Sequence, residues 1–404
     1  MITVVGQGYV GLPISIAAAE AGYNVKGFDI DAEKILNLQQ GITDSPDIDS
    51  NRLLELQSLG KLKFSSNIHD QSQNSIFIIA VPTPLDLNYK PDLRFLESAC
   101  KSIAQVVESG SLIINESTSF IGTLRNFIMP LIKNASNLED LDFVVAPERI
   151  DPGNFNWNLR NTPRMIGGIH QKGVGKAKEF YDKICDNVSI VSTPEVAEAA
   201  KLFENTFRQV NIALVNEFAE IAAASGFSSH EAIMAAATKP FGFMPFFPSI
   251  GTGGHCIPVD PSYLVYSAGA VGIQTKLIGS ANSINRSRPL ITVERIKNFL
   301  GGEIKDKYIQ IAGIAYKPDI SDLRESPAVE LLDALEKNGA RVTWSDPYIK
   351  FLNGKKSTPL DPSVDLGLIV TPHSNFDFTI WKRSQTKVLD LSANQKNFGW
   401  PKFF

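Results

Sequence analysis

Cysteine is scarce in this chain: three in 404 residues, at Cys100, Cys185 and Cys256. Three so widely spaced make neither a disulfide framework nor a metal pattern, and they point to a reducing, cytoplasmic setting. Basic charge is also short. The 39 Lys and Arg stand against 43 Asp and Glu, for a formal net charge of -4. A nucleic-acid partner normally needs a basic face, so none is expected. No apolar run approaches the roughly 20 residues of a membrane span, so no membrane-spanning helix is expected. The opening MITVVGQGYVGLP has no basic region ahead of an apolar stretch, so no export signal is expected either. Short-period repeats and low-complexity tracts are missing as well.

What remains is the composition of a soluble globular protein, 43% hydrophobic and 20% charged, in a chain long enough for two or three domains. Its first half alternates short β-rich runs with helical patterns: ITVVG, LPISIAAAEAG, NVKGFDID, SIFIIAV, LRFLESACKSIAQVV, SLIINES and LDFVVAPE. Such alternation predicts βαβ units and a parallel sheet covered by helices on both faces. From Thr193 the pattern becomes helical for about 32 residues, a rod of roughly 48 Å. Thr193 can cap this helix, Pro194 suits its first turn and Gly226 can close it. A second helical block, TKLIGSANSINRSRPLITVERIKNFLGG, follows, and the α/β alternation returns from about Lys307. The predicted fold is therefore α/β, with two Rossmann-like doubly wound domains joined by a long central helix.

At the N-terminal end, VVGQGYVG places Gly6, Gly8 and Gly11 in GxGxxG spacing between a strand and a helix. The first glycine permits the tight turn, the second lets a pyrophosphate approach the backbone, and the third lets helix and strand pack closely. Tyr9 and Val10 complete that loop. Asp29 ends the following strand, about 20 residues on, where an acid accepts hydrogen bonds from ribose hydroxyls. An acid there repels a 2′-phosphate, so NAD is favoured over NADP. Lys34 either contacts the adenosine side or sits solvated on its helix. Thr83 in VPTP and Thr118 in EST lie after strands of the sheet, at the end where ligands bind. Each is equally suited to stabilising a local turn.

A second chemical signal lies at GTGGHCIPVDP, where glycines crowd up to Cys256 and Asp260 follows four residues later. A cysteine near a nicotinamide site can add to an aldehyde and carry it through a thioester to a carboxylate. Its alternative is an inert small side chain. Cys100 and Cys185 fall in amphipathic helix patterns, where core packing is expected. Lys201 and Asn205, spaced i and i+4 on the long helix, share one face and present an ammonium beside a carboxamide. That pair is suited to an oxyanion, or else belongs to a solvated face.

Taken in order, GQGYVGLP, VPTP, EST, APERIDPGN, AEAAKLFENTFRQVNIALVNE, KPFGFMPFFPSIGTGGHCIPVDPSYL and AGIAYKPDISDLRESPA resemble the nucleotide-sugar 6-dehydrogenases. This is the superfamily of UDP-glucose and UDP-N-acetylhexosamine dehydrogenases, and the resemblance runs over nearly the whole length. It implies oxidation of the C6 hydroxymethyl group of a nucleotide sugar to a carboxylate with two NAD in succession, for polysaccharide precursors. By the same resemblance Cys256 is the thioester nucleophile, Lys201 and Asn205 stabilise oxyanions, and Asp260 assists the thiol and a bound water. Thr118 holds that water and Glu148 acts in acid–base steps. Lys317 and Arg324 match a substrate lysine and an arginine that reaches the cofactor cleft. Phe247 closes over the substrate, and Gly253 joins the substrate contacts. The implied domains are 1–192 for NAD, 193–300 for dimerisation and the catalytic loop, and 301–404 for the UDP moiety. A homodimer through the central helix is expected.

Two departures stand out. Ser249 and Ile250 replace the family's usual Gly-Pro, and Pro152 stands where the glucose branch carries a second acid. PERIDPGN and FGFMPF look more like the N-acetylhexosamine branch, with UDP-GlcNAc first, UDP-ManNAc next and UDP- or dTDP-glucose behind. Two other classes remain open: an inactive NAD-binding scaffold, and a simple hydroxyacid-type dehydrogenase that needs no cysteine.

Overall fold

The structure, a computed structural model, describes the chain apart from residues 44–47, 70–75, 151–153, 155, 255, 394–395 and 397. Pro152 lies outside the described residues. The chain forms two compact units, residues 1–204 with 262–273, and residues 205–261 with 274–404. Among the described residues, no helix is long and apolar enough to cross a membrane.

The first unit is built on eight strands: β1 (Ile2–Val5), β2 (Val25–Phe28), β3 (Leu62–Ser65), β4 (Ile76–Ile79), β5 (Leu112–Asn115), β6 (Asp142–Val145), β7 (Arg164–Gly168) and β8 (Val188–Ile190). Their order across the sheet is β3-β2-β1-β4-β5-β6-β7-β8. The first six are parallel neighbours, in the 3-2-1-4-5-6 arrangement of a dinucleotide fold. Successive residues of a strand point to opposite faces, so a strand buried on both faces must be apolar throughout. β5 shows this: Leu112 and Ile114 join one core, while Ile113 joins the other. Val4 and Val5 divide in the same way. The sequence pattern predicted parallel pairing throughout; β7 instead runs antiparallel to β6. A parallel neighbour needs a long crossover, usually a helix, and the described residues between β6 and β7 contain none.

The second unit repeats the principle on a smaller scale. β9 (Tyr308–Ala312), β10 (Arg341–Ser345), β13 (Leu366–Ile369) and β14 (Val388–Asp390) form a parallel sheet, ordered β10-β9-β13-β14, beside the short hairpin β11 (Phe351–Leu352) and β12 (Lys355–Lys356). Ile309, Ile311, Leu366 and Leu368 pack with Leu331, Leu335 and Ile296, while Ile369 and Ala312 pack with Trp381 on another core.

The long helix spans Pro194–Ser225, as its end signals predict. Thr193 Oγ1 accepts from the Val196 N–H at 3.4 Å, and Gly226 takes the left-handed φ of +77° that closes it. One helix expectation needs correcting. Cys100 is buried within Arg94–Ala104, but Cys185 lies just past Gln171–Ile184 in extended backbone. Burial pushes the Cys100 thiol up to about 12, which suits an inert packing role. Because Ile114 is fully buried in the centre of the larger sheet, Ile114→Ala is expected to cost about 2–5 kcal/mol, read as a lowered urea midpoint.

Candidate active site

The three glycines of the first loop do three different jobs. Gly6 has φ of +93°, and a Cβ on it would sit 2.4 Å from the Ala80 carbonyl oxygen at the end of β4. A Cβ on Gly11 would sit 1.8 Å from the Gly6 oxygen. Gly8 is exposed, and among the described residues a Cβ there would meet nothing within 4 Å. The loop is thus closed by two glycines and left bare at the third, beside the N-terminus of helix Gly11–Glu20. That is the cradle a dinucleotide pyrophosphate needs. Tyr9 and Val10 are half-buried beside it.

Asp29 follows β2 directly. Its Oδ2 accepts from the Gln7 N–H at 2.8 Å and its Oδ1 from the Asp31 N–H at 3.0 Å. Lys34 Nζ lies 3.3 Å from Asp29 Oδ2. Gln7 was missed in the sequence, yet it ties the loop together: its Nε2 donates to the Val4 and Gly6 carbonyls, and its Oε1 accepts from Ser15 Oγ.

Thr83 is buried, and its carbonyl accepts from the Tyr263 hydroxyl at 3.1 Å. Thr118 is half-buried after β5. Glu148, after β6, is held on both oxygens. Oε1 accepts from the N–H groups of Arg149 at 2.6 Å and Ile150 at 2.5 Å, and Oε2 accepts from Arg164 Nη2 at 3.1 Å. Lys201 is buried on the long helix. One turn before it, Glu198 accepts from the N–H groups of Gly122 at 2.5 Å and Leu124 at 2.9 Å. This capping ties the helix to the segment that follows Thr118. Burial pushes Glu198 up to about 7.

In the second unit, Asn205 Nδ2 donates to Asp260 Oδ2 at 2.5 Å, with both side chains buried. Cys256 is exposed and opens the helix Cys256–Ala270, so Asp260 lies one turn further on. The N-terminal end of a helix favours an anion on such a sulfur. The glycines ahead of it have a cause the sequence did not show. A Cβ on Gly253 would meet the Tyr316 Cβ at 2.7 Å and Pro327 at 2.9 Å. One on Gly254 would meet the Tyr316 ring at 2.7 Å. Gly254 N–H donates to the Arg324 carbonyl at 3.0 Å. What this loop approaches so closely is the Tyr316–Pro327 segment of its own chain.

The Arg324 guanidinium makes a fork with Asp322, Nη2 to Oδ2 at 2.6 Å. Lys317 is half-buried after β9. Phe247 is half-buried against the His230 ring at 4.9 Å. Ser249 and Ile250 both find partners: Ser249 N–H donates to Asn216 Oδ1 at 2.9 Å, and Ile250 is buried in the core of the second unit.

Comparison with known proteins agrees along the whole chain. Residues 1–185 match the NAD binding domain of the UDP-glucose/GDP-mannose dehydrogenase family, 195–287 its central domain, and 310–394 its UDP binding domain. The chain is 37% identical to the UDP-N-acetyl-D-mannosamine dehydrogenase of Pyrococcus horikoshii, over 94% of this chain and 91% of that one. It is 32% identical to the UDP-N-acetyl-D-glucosamine 6-dehydrogenase of Pseudomonas aeruginosa, covering 93% and 91%. A solved structure of the UDP-D-ManNAc dehydrogenase from Pyrococcus horikoshii superposes with a TM-score of 0.89 at 33% identity, covering 99% and 98%.

Two outcomes are expected from these contacts. Gly11→Ala should weaken nicotinamide dinucleotide binding at least about tenfold, by calorimetric titration, because the loop must open to admit the methyl. Glu198 binds a proton in the folded state up to about pH 7 but loses it near its ordinary 4.5 when unfolded. Its contribution to stability is therefore full below about 4.5 and lost as pH rises through 7. The melting temperature of Glu198→Gln should fall less steeply across that window than that of the unaltered chain.

Proposed function

The chain belongs to the UDP-glucose/GDP-mannose dehydrogenase family, and from that premise we propose that it oxidises C6 of a UDP-N-acetylhexosamine to the uronic acid. NAD-dependent nucleotide-sugar dehydrogenase activity is the family's common property, and the bare Gly8 loop with Asp29 beside it fits the cofactor. When bound, NAD supplies the hydride acceptor for both oxidations.

The observation that carries the reading is the buried Asn205–Asp260 hydrogen bond on the helix that Cys256 opens. Cys256 Sγ bonds to the aldehyde carbon, giving a thiohemiacetal that becomes a thioester when hydride departs, and water then releases the carboxylate. Asp260 takes the thiol proton and orients that water. Asn205 commits one amide N–H to Asp260 and offers the other to the oxyanion, with the Lys201 ammonium as a second donor. Thr118 holds the water, and Glu148, fixed on both oxygens, exchanges the proton of the C6 hydroxyl. Lys317, Phe247 and Gly253 belong to the substrate side and Arg324 to the cofactor side. The product is a precursor for polysaccharide synthesis in the cytoplasm.

Both acetamido epimers are represented among the relatives. The higher identities, 37% and 35%, belong to UDP-N-acetyl-D-mannosamine dehydrogenases, which supports testing UDP-ManNAc together with UDP-GlcNAc, the sugar favoured by the sequence motifs. A panel of both, with UDP-glucose and dTDP-glucose, is expected to give two NADH per sugar and the highest kcat/KM with an acetamido substrate. Cys256→Ser is expected to lower uronic-acid formation about a thousandfold or more. Acid formed by that variant at the normal rate would remove the thioester.

The domains proposed are 1–192, 193–300 and 301–404. For the homodimer, support comes from Phe207, Leu214 and Ile221, seven apart on the long helix and 43%, 62% and 54% exposed. This stripe is the kind of surface a second copy covers. Leu214→Glu is expected to convert a dimer to a monomer in light scattering.

A further inference from the structure

β5 hands on to Glu116, whose side chain has no solvent exposure at all. No substrate reaches it. Its Oε2 accepts from Arg164 Nη1 at 2.8 Å, and its Oε1 accepts from the Tyr181 hydroxyl. The same guanidinium reaches Glu148 through Nη2 at 3.1 Å and donates through Nη1 to the Pro147 carbonyl at 3.2 Å. Arg164 is itself buried, on β7. Two carboxylates therefore share one cation, with a phenol closing the far side. Among the described residues, Cys185 is the further titratable group around this cluster, and burial raises its thiol, which stays neutral.

The arrangement is uneven in a useful way. Glu148 Oε1 is fixed by two backbone N–H groups, but its Oε2 depends on Arg164. Arg164 in turn is pulled by Glu116 from the opposite side. We propose that Arg164 is the positioning residue that aims the Glu148 carboxylate, and that ionisation of Glu116 behind it controls how firmly that aim is held. This rests on the acid–base role proposed above for Glu148. Burial pushes Glu116 up to about 7; the Arg164 charge and the Tyr181 hydrogen bond oppose the rise, and the Glu148 charge adds to it. Below that pH Glu116 is neutral and the guanidinium is balanced by Glu148 alone. Above it, a charged Glu116 draws the guanidinium toward its own side through Nη1, away from the Nη2 contact with Glu148, and the hold on Glu148 loosens.

The test uses the full chain, NAD and UDP-N-acetylhexosamines, with kcat and KM followed by NADH from pH 6 to 9. Glu116→Gln keeps the low-pH charge state at every pH. Its kcat relative to the unaltered chain is expected to be near one at pH 6 and to rise about three- to tenfold by pH 8.5, with KM within about twofold. Tyr181→Phe is the second variant. It removes only a hydroxyl, and with it a hydrogen bond that favours the Glu116 carboxylate, so the inflection near pH 7 should move upward. A purely structural role would lower rates without moving an inflection. If the unaltered chain turns over and the inflections of both variants coincide with it, the inference is overturned. If the unaltered chain forms no NADH with any nucleotide sugar, or Glu148→Gln is fully active, it is the proposed function that fails instead.

Discussion

Both units depend on places where two stretches of backbone meet with no room for a side chain between them. A Cβ at Gly11 would lie 1.8 Å from the Gly6 oxygen, and one at Gly313 would lie 1.9 Å from the Thr371 oxygen. Contacts of that kind are available only to glycine, and no rotamer change relieves them because the obstacle is main chain. Each lies at the carboxyl end of a parallel sheet. The first closes the dinucleotide loop against its helix, and the second brings the segment after β9 against that after β13. Ligand-binding loops in such folds sit at these ends, so their shape is inherited from contacts that side-chain chemistry cannot adjust. The pair Gly253–Gly254 extends the constraint to the cysteine, since it seats the approach to Cys256 on Tyr316 and Pro327.

Much of this was legible in the sequence because it is local. Alternating βα patterning, the caps of Pro194–Ser225 and the spacing of Gly6, Gly8 and Gly11 each involve neighbours in the chain, and each appears as expected. What was hidden is what distant segments decide. The sequence shows glycines crowding up to Cys256 but not that Gly253 and Gly254 pack against Tyr316, more than sixty residues away. The reversal at β7 depends on a connection that lacks a crossover helix, which periodicity in the strands themselves cannot reveal. Arg164 sits in an apolar strand pattern, and its partners Glu116 and Glu148 are 48 and 16 residues away. The sequence offers an arginine opening the otherwise apolar RMIGG, which does not name its acids.

The replacement of Gly-Pro by Ser249 and Ile250 shows how such long-range partners absorb a local departure. Asn216 Nδ2 donates to Asn285 Oδ1 at 3.0 Å, and Asn285 Nδ2 to the Gln209 carbonyl at 3.0 Å, which leaves Asn216 Oδ1 for the Ser249 N–H. Arg288 Nε donates to the Ser249 carbonyl at 3.2 Å while its Nη1 binds Glu220 and its guanidinium lies over Phe404 at 4.8 Å. A typical hydrogen bond adds only about 0.5–1.5 kcal/mol, but a buried group left unpaired costs about 1–3 kcal/mol. The loop is therefore held less by any single bond than by the penalty of separating several at once.

The same asymmetry bears on Asp260. A wholly buried carboxylate is tolerated when donors meet it, and Asn205 is one such donor at 2.5 Å. Pro261 follows within the helix and contributes no N–H, so the turn carrying Asp260 lacks the hydrogen bond that would ordinarily run back to Ile257. The side chain from the neighbouring helix consequently does more than meet a buried carboxylate: it compensates for a weakened turn that also begins with Cys256. Removing the Asn205 amide would disturb the acid and the start of the cysteine's helix together.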